Sequence, residues 1–122
     1  MDQAPLFERL GGRDGIAKVV ADVMTNHLAN PVISTRFTHA TQTVQQMTDH
    51  AVEFFCTGLS GVPTYTGRAL PDAHAGMNIS EQEFLAAIDD ILAALRTHGV
   101  GDLEQAEVLA ILYGMKEAVI RL

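Results

Sequence analysis

At 122 residues, this chain has room for one domain with one modest core. Fifteen acidic residues against eight basic ones give a net charge of -7, which repels a phosphate backbone and argues against a nucleic-acid partner. A single cysteine, Cys56, excludes an internal disulfide.

The apolar fraction is 48% with no tryptophan, so it is mostly Ala, Val, Leu, Ile and Met, the usual stock of helix interiors. The composition therefore predicts an all-α protein. The opening residues Met1 to Pro5 lack a cationic region followed by an apolar run, and no apolar segment approaches membrane-spanning length. The expectation is a cytoplasmic protein with no membrane partner.

In chain order, Pro5 to Leu10 predicts a short first helix, with proline at an early position where its missing N–H does no harm. Gly11 and Gly12 end it. From Asp14, read as a cap, Ile16, Val19, Val20, Val23 and Met24 recur in helical steps until Asn30-Pro31 stops the helix. Val32 to Thr41 reads as a corner with Phe37 turned inward.

Thr43 and Gln46 have capping-box spacing and open a third helix. Its apolar face is Val44, Met47, Ala51, Phe54, Phe55 and Leu59, with His50 at the edge. Gly58, Gly61 and Pro63 bracket its end. Tyr65 to Ile79 is a Gly- and Pro-containing loop with one short helical turn and a single histidine, His74.

Ser80 and Glu83 form a second capping box, followed by Phe84, Ile88, Ile91, Leu92 and Leu95 at helical spacing up to Gly99. Asp102 is read as the cap of a last helix, with Val108, Leu112, Met115, Val119 and Leu122 on one stripe. No sustained two-residue alternation, repeat or low-complexity tract interrupts the helical pattern.

Five histidines carry most of the chemical interest. His74 sits among Ala73, Ala75 and Gly76, small neighbours that leave space beside the imidazole. Imidazole is a common axial ligand of haem iron, although a lone histidine at a turn also serves purely structural ends. His50 lies one turn from Met47 and one from Phe54, where it either overlooks an apolar slot or rests at an exposed helix edge. His27 follows Met24 by three residues and can approach the same slot, while His39 and His98 fall in connections; no chemistry is assigned to these three. Zinc-ligand spacing and Gly-x-Ser-x-Gly are both absent. Cys56 beside Phe55 reads as a buried, inert thiol.

The ordered set of motifs resembles the truncated haemoglobins, group I. It runs from Leu6-Phe7-Glu8-Arg9-Leu10-Gly11-Gly12 through Leu28-Ala29-Asn30-Pro31, Phe37, Val52-Glu53-Phe54-Phe55, Tyr65-Thr66-Gly67-Arg68 and Ala73-His74-Ala75-Gly76-Met77-Asn78-Ile79 to Phe84. This resemblance implies a truncated globin fold over residues 1–122, a two-over-two helical sandwich around haem b, with His74 as the proximal iron ligand. It implies that Phe37 packs on the haem face and that Phe54 and Phe55 lie on its distal side. Leu70, Met77, Ile79 and Phe84 are then expected on the proximal side, with Arg68 and Tyr65 near the haem edge.

The departures from the family pattern concern the distal side. Met24 stands where relatives commonly have tyrosine, and Ala51 where they often have glutamine. Met47, above the iron in the family's pattern, also lacks a hydrogen-bond donor. His50 falls where some relatives carry a sixth iron ligand, so it binds iron, donates to a bound gas, or points outward and leaves bound oxygen without polar stabilisation.

The implied function is reversible binding of oxygen or other diatomic gases, nitric oxide and carbon monoxide among them, of the oxygen-transport type. The alternative is enzyme-like: nitric oxide dioxygenation, or haem redox chemistry with peroxide or nitrite, served by a reductase. A helical interaction protein without cofactor is the third reading.

Overall fold

A computed structural model describes residues 4–38, 40–60 and 70–122. They form six α-helices: α1 (Leu6–Arg9), α2 (Gly12–Ala29), α3 (Val44–Ser60), α4 (Leu70–His74), α5 (Glu81–Thr97) and α6 (Asp102–Gly114). Two 3-10 turns, Ser34–Phe37 and Lys116–Ala118, complete the regular structure among the described residues. The pairs α2–α3 and α5–α6 are layered through contact of α2 with α5, the two-over-two arrangement. The all-α architecture expected from composition and spacing is present among the described residues, and its layering is the two-over-two arrangement that the family resemblance implies.

Both capping boxes form. Thr43 Oγ1 accepts from the Gln46 amide at 3.1 Å while Gln46 Oε1 accepts from the Thr43 amide at 2.9 Å, opening α3. Ser80 and Glu83 do the same for α5, each hydrogen bond 3.1 Å long. Two expected caps differ. Gly11, not Asp14, caps α2, because the chain reverses so tightly after α1 that its cap takes φ +94°, a conformation suited to glycine. Gly101 caps α6, leaving Asp102 as the first helical residue, where its charge still faces the positive helix end.

The core joins Leu10, at the end of α1, with Ile16, Val19, Val20, Val23, Cys56, Ile91, Ala94, Leu95 and Val108 across α2, α3, α5 and α6. Burying one such aliphatic side chain contributes about 1.5–3 kcal/mol, and Val20 and Val108 are the largest that are fully enclosed. The approach of α1 to α2 depends on Gly15, since a Cβ there would collide with the Leu10 carbonyl oxygen. Gly15→Ala is therefore expected to cost about 1–3 kcal/mol by overpacking, read as a lower thermal midpoint with unchanged helix content.

The C-terminal segment has a positional role that helical spacing did not reveal. Helix α6 stops at Gly114, so Val119 and Leu122 leave the expected helical stripe. Instead Ile120 bridges Ile79: the Arg121 amide donates to the Ile79 carbonyl at 2.9 Å, and the Asn78 amide to the Leu122 carbonyl at 2.7 Å. Helix α4 packs on Lys116–Ala118. The chain's last turn thereby anchors both sides of the segment after His74.

Candidate functional site

Helix α3 is the starting point, because it is strongly amphipathic yet, among the described residues, buries only Cys56 completely. Its inner side packs on α2 and α1. Met47, His50, Phe54 and Gly58 recur in steps of three and four and so share the side opposite Cys56. On that side Met47 and Phe54 are half-buried and His50 is exposed. Ala51 and Phe55 are also half-buried, and the Phe54 and Phe55 rings meet edge to face with centroids 6.2 Å apart.

Val108, Ile111 and Leu112 of α6 and Met115 just after it meet Phe54, Phe55, Gly58 and Leu59 around a narrow apolar gap of about 10 Å³. Helical spacing put Val108, Leu112 and Met115 on one stripe and left Ile111 unassigned. Their pairing with α3 is a long-range property that helical spacing within α6 cannot express. A second apolar gap, lined by Val19, Val20, Val23, Phe55, Ile91 and Val108 among others, continues into the core between α2 and α5.

His74 ends α4 and is half-buried, followed by half-buried Met77 and buried Ile79. Phe84 lies half-buried in the first turn of α5. Leu70 begins α4. Tyr65 and Arg68 lie outside the described residues. Met24, at the expected distal position, is buried in α2 at 8% exposure. Cys56 is enclosed, and burial pushes its thiol pKa up, with Arg13 pulling it down less strongly, so the inert reading suits it.

Phe37 is half-buried at the end of the 3-10 turn and stacks on His27, with centroids 6.1 Å apart and planes 15° from parallel. The turn is fastened to α5 on its other side. Arg36 Nε donates to Glu83 Oε2 at 2.6 Å and its Nη2 to Oε1 at 2.9 Å, a bidentate pair joined to the Ser80 capping box. That pairing, with the Arg36 bond foremost, lowers the Glu83 pKa to about 2.

The consequence for acid stability follows from the direction of that shift. An unfolded chain takes up the proton near the ordinary value of 4.5, whereas the folded carboxylate holds out to about 2. Stability from this group is complete above the higher value and disappears as pH falls through the lower. Arg36→Gln should flatten the acid limb of the unfolding curve between those values by about 2 kcal/mol, measured by urea titration at a series of pH values.

Among the described residues, no three His, Cys, Asp or Glu side chains converge on a metal-sized site. No helix among them is long and apolar enough to cross a membrane. The half-covered side of α3 bearing Met47 and Phe54, and one histidine at the end of α4, chemically suit a flat apolar group whose metal comes with it. The donor chemistry agrees, since imidazole is a normal axial ligand for haem iron.

Comparison with known proteins agrees with this architecture. The family model described as bacterial-like globin matches residues 5–121. The group 1 truncated hemoglobin of Tetrahymena thermophila is 34% identical over 109 residues, covering 82% of this chain and 81% of the relative. Group 1 truncated hemoglobin GlbN of Mycolicibacterium paratuberculosis is 27% identical over 111 residues, covering 91% of this chain and 80% of the relative. The solved truncated hemoglobin of Tetrahymena pyriformis in its Fe(III) form superposes with a TM-score of 0.92 at 24% identity, covering 98% and 100% of the two chains. The chain belongs to the bacterial-like globin family and, within it, to the group 1 truncated haemoglobins, which makes it a haem-binding globin.

Proposed function

We propose that the protein holds haem b through the His74 imidazole and reversibly binds diatomic gases, oxygen first among them, in the cytoplasm. The observation that carries this reading is the side of α3 bearing Met47 and Phe54, apolar and only half-covered by protein. Leaving such a face half-exposed forgoes about 25 cal/mol for each Å² of apolar surface, which a flat apolar group would recover. When bound, haem supplies an iron atom with an open coordination position for a small gas.

The chain's own residues then divide the work. His74 would supply the imidazole nitrogen that holds the iron. Phe37 packs on the ring face, with Phe54 and Phe55 on the distal side, and Leu70, Met77, Ile79 and Phe84 enclose the proximal side. Arg68 pairs with a propionate and Tyr65 packs near the same edge. Met24, Met47 and Ala51 offer no side-chain donor on the distal side, so His50 would be the polar group available either to donate to a bound gas or to hold the iron. Its place on the same side of α3 as Met47 and Phe54 supports that role.

The test is a titration with hemin followed by absorbance. The expected result is a one-to-one end point with a Soret band, and a spectrum altered in His74→Ala. Failure of the wild-type chain to take up hemin would contradict the proposal.

A further inference from the structure

The last turn of α2 makes an unusually dense set of polar contacts with the middle of α5. His27 Nδ1 lies 2.8 Å from Asp90 Oδ2. A carboxylate only accepts, so Nδ1 carries the proton and donates. Asn30 Nδ2 donates to both Asp90 carboxylate oxygens at 3.2 Å, and Asn26 Nδ2 donates to the Asp90 backbone carbonyl at 3.0 Å. His27 and Asp90 side chains are each only 14% exposed.

Three side chains from the end of α2 and its cap residue Asn30 thus converge on one residue of α5. Here the bond at Nδ1 fixes which way the ring plane faces, and Asn30 fixes the carboxylate that receives it. The ring so held lies nearly parallel to Phe37 at 6.1 Å, within the range of offset stacking. Phe37 is the residue assigned above to the haem face, and Met24 stands one helical turn before His27.

We propose that His27, tethered through Nδ1 to Asp90, is a positioning residue that sets the plane of the Phe37 ring and through it the seating of haem. This rests on the haem-binding reading. Arg36–Glu83 fixes the backbone of the 3-10 turn to α5, whereas His27 acts on the aromatic side chain itself. The two fastenings approach Phe37 from different helices, so its ring has little freedom to tilt.

The experiment follows haem transfer from the hemin-loaded protein to excess apomyoglobin. His27→Gln keeps a donor for Asp90 but removes the stacking ring, and is expected to speed transfer by about tenfold. His27→Phe keeps a ring without the tether and should fall between it and wild type. In a Phe37→Leu background, His27→Gln should change the rate by less than about twofold, because its effect passes through Phe37. An equal acceleration in both backgrounds, or none in either, would overturn the proposal.

A second readout does not need haem. In the haem-free chain, the Phe37 ring-proton NMR shifts should move in His27→Gln and, less, in Asp90→Asn, as the imidazole ring current is removed or tilted. If the wild-type chain takes up no hemin, the haem reading falls and these shifts decide the positioning role. Unchanged Phe37 shifts in Asp90→Asn would refute the tether.

Discussion

Hemin affinity is expected to fall by on the order of 100-fold or more in His74→Ala. Replacing groups that merely support a metal ligand typically costs about 10–100-fold in affinity, so removing the ligand itself should cost at least the upper end. The loss should concern cofactor rather than fold. The main core lies between α1, α2, α3, α5 and α6, whereas α4 rests chiefly on the C-terminal 3-10 turn. Far-UV circular dichroism of the haem-free variant should therefore match that of the haem-free wild type. Added imidazole should restore the ligand field in His74→Gly by entering the space vacated. Haem stabilises only the folded state that binds it, so the variant's thermal midpoint should also respond less to added hemin.

The second large effect is expected on the distal side. Met24→Tyr introduces a hydroxyl where the wild-type chain has a thioether, and a hydrogen bond to a partly charged bound oxygen contributes roughly 1.5–3 kcal/mol, about one to two decades of affinity. Oxygen dissociation measured by stopped flow should slow by that factor. Carbon monoxide, which gathers less charge, should respond much less. Because Met24 is buried, the larger tyrosine also carries an overpacking cost of about 1–3 kcal/mol in stability, to be measured separately by denaturant titration. An oxygen dissociation rate unchanged in Met24→Tyr would place this side chain away from the gas, contrary to the proposed pocket. His50→Ala in the wild-type background supplies the complementary result: faster oxygen loss if His50 donates, or a changed resting spectrum if it ligates the iron.

The elements legible in the sequence were those written in short spacings. Thr43 with Gln46 and Ser80 with Glu83 each complete their bonds within one helical turn, so the residues announce the helix start. The apolar steps from Ile16 to Met24 likewise mark the buried side of α2. Gly11 escaped as a cap because its work is done by a positive φ rather than by a side-chain acceptor.

Long-range pairings were not legible. His27 meets Asp90 across 63 positions and Arg36 meets Glu83 across 47, and no local pattern couples residues so far apart. The hold of the C-terminal segment on Ile79 uses backbone groups, which every residue possesses, and therefore leaves no compositional trace. The candidate site and its surroundings divide along the same line. His74, Phe37, Phe54 and Phe84 stood out by residue type and by family resemblance, while the gap that Ile111 and Met115 share with α3 became visible only once the helices were packed.

Low-frequency resonance Raman spectroscopy of the ferrous, hemin-reconstituted protein tests the central claim most directly, because it reads the bond between iron and the axial imidazole. The account predicts an iron–histidine stretching band that shifts on nitrogen-15 labelling of histidine and is missing from His74→Gly. The same labelled band persisting in His74→Gly would contradict it.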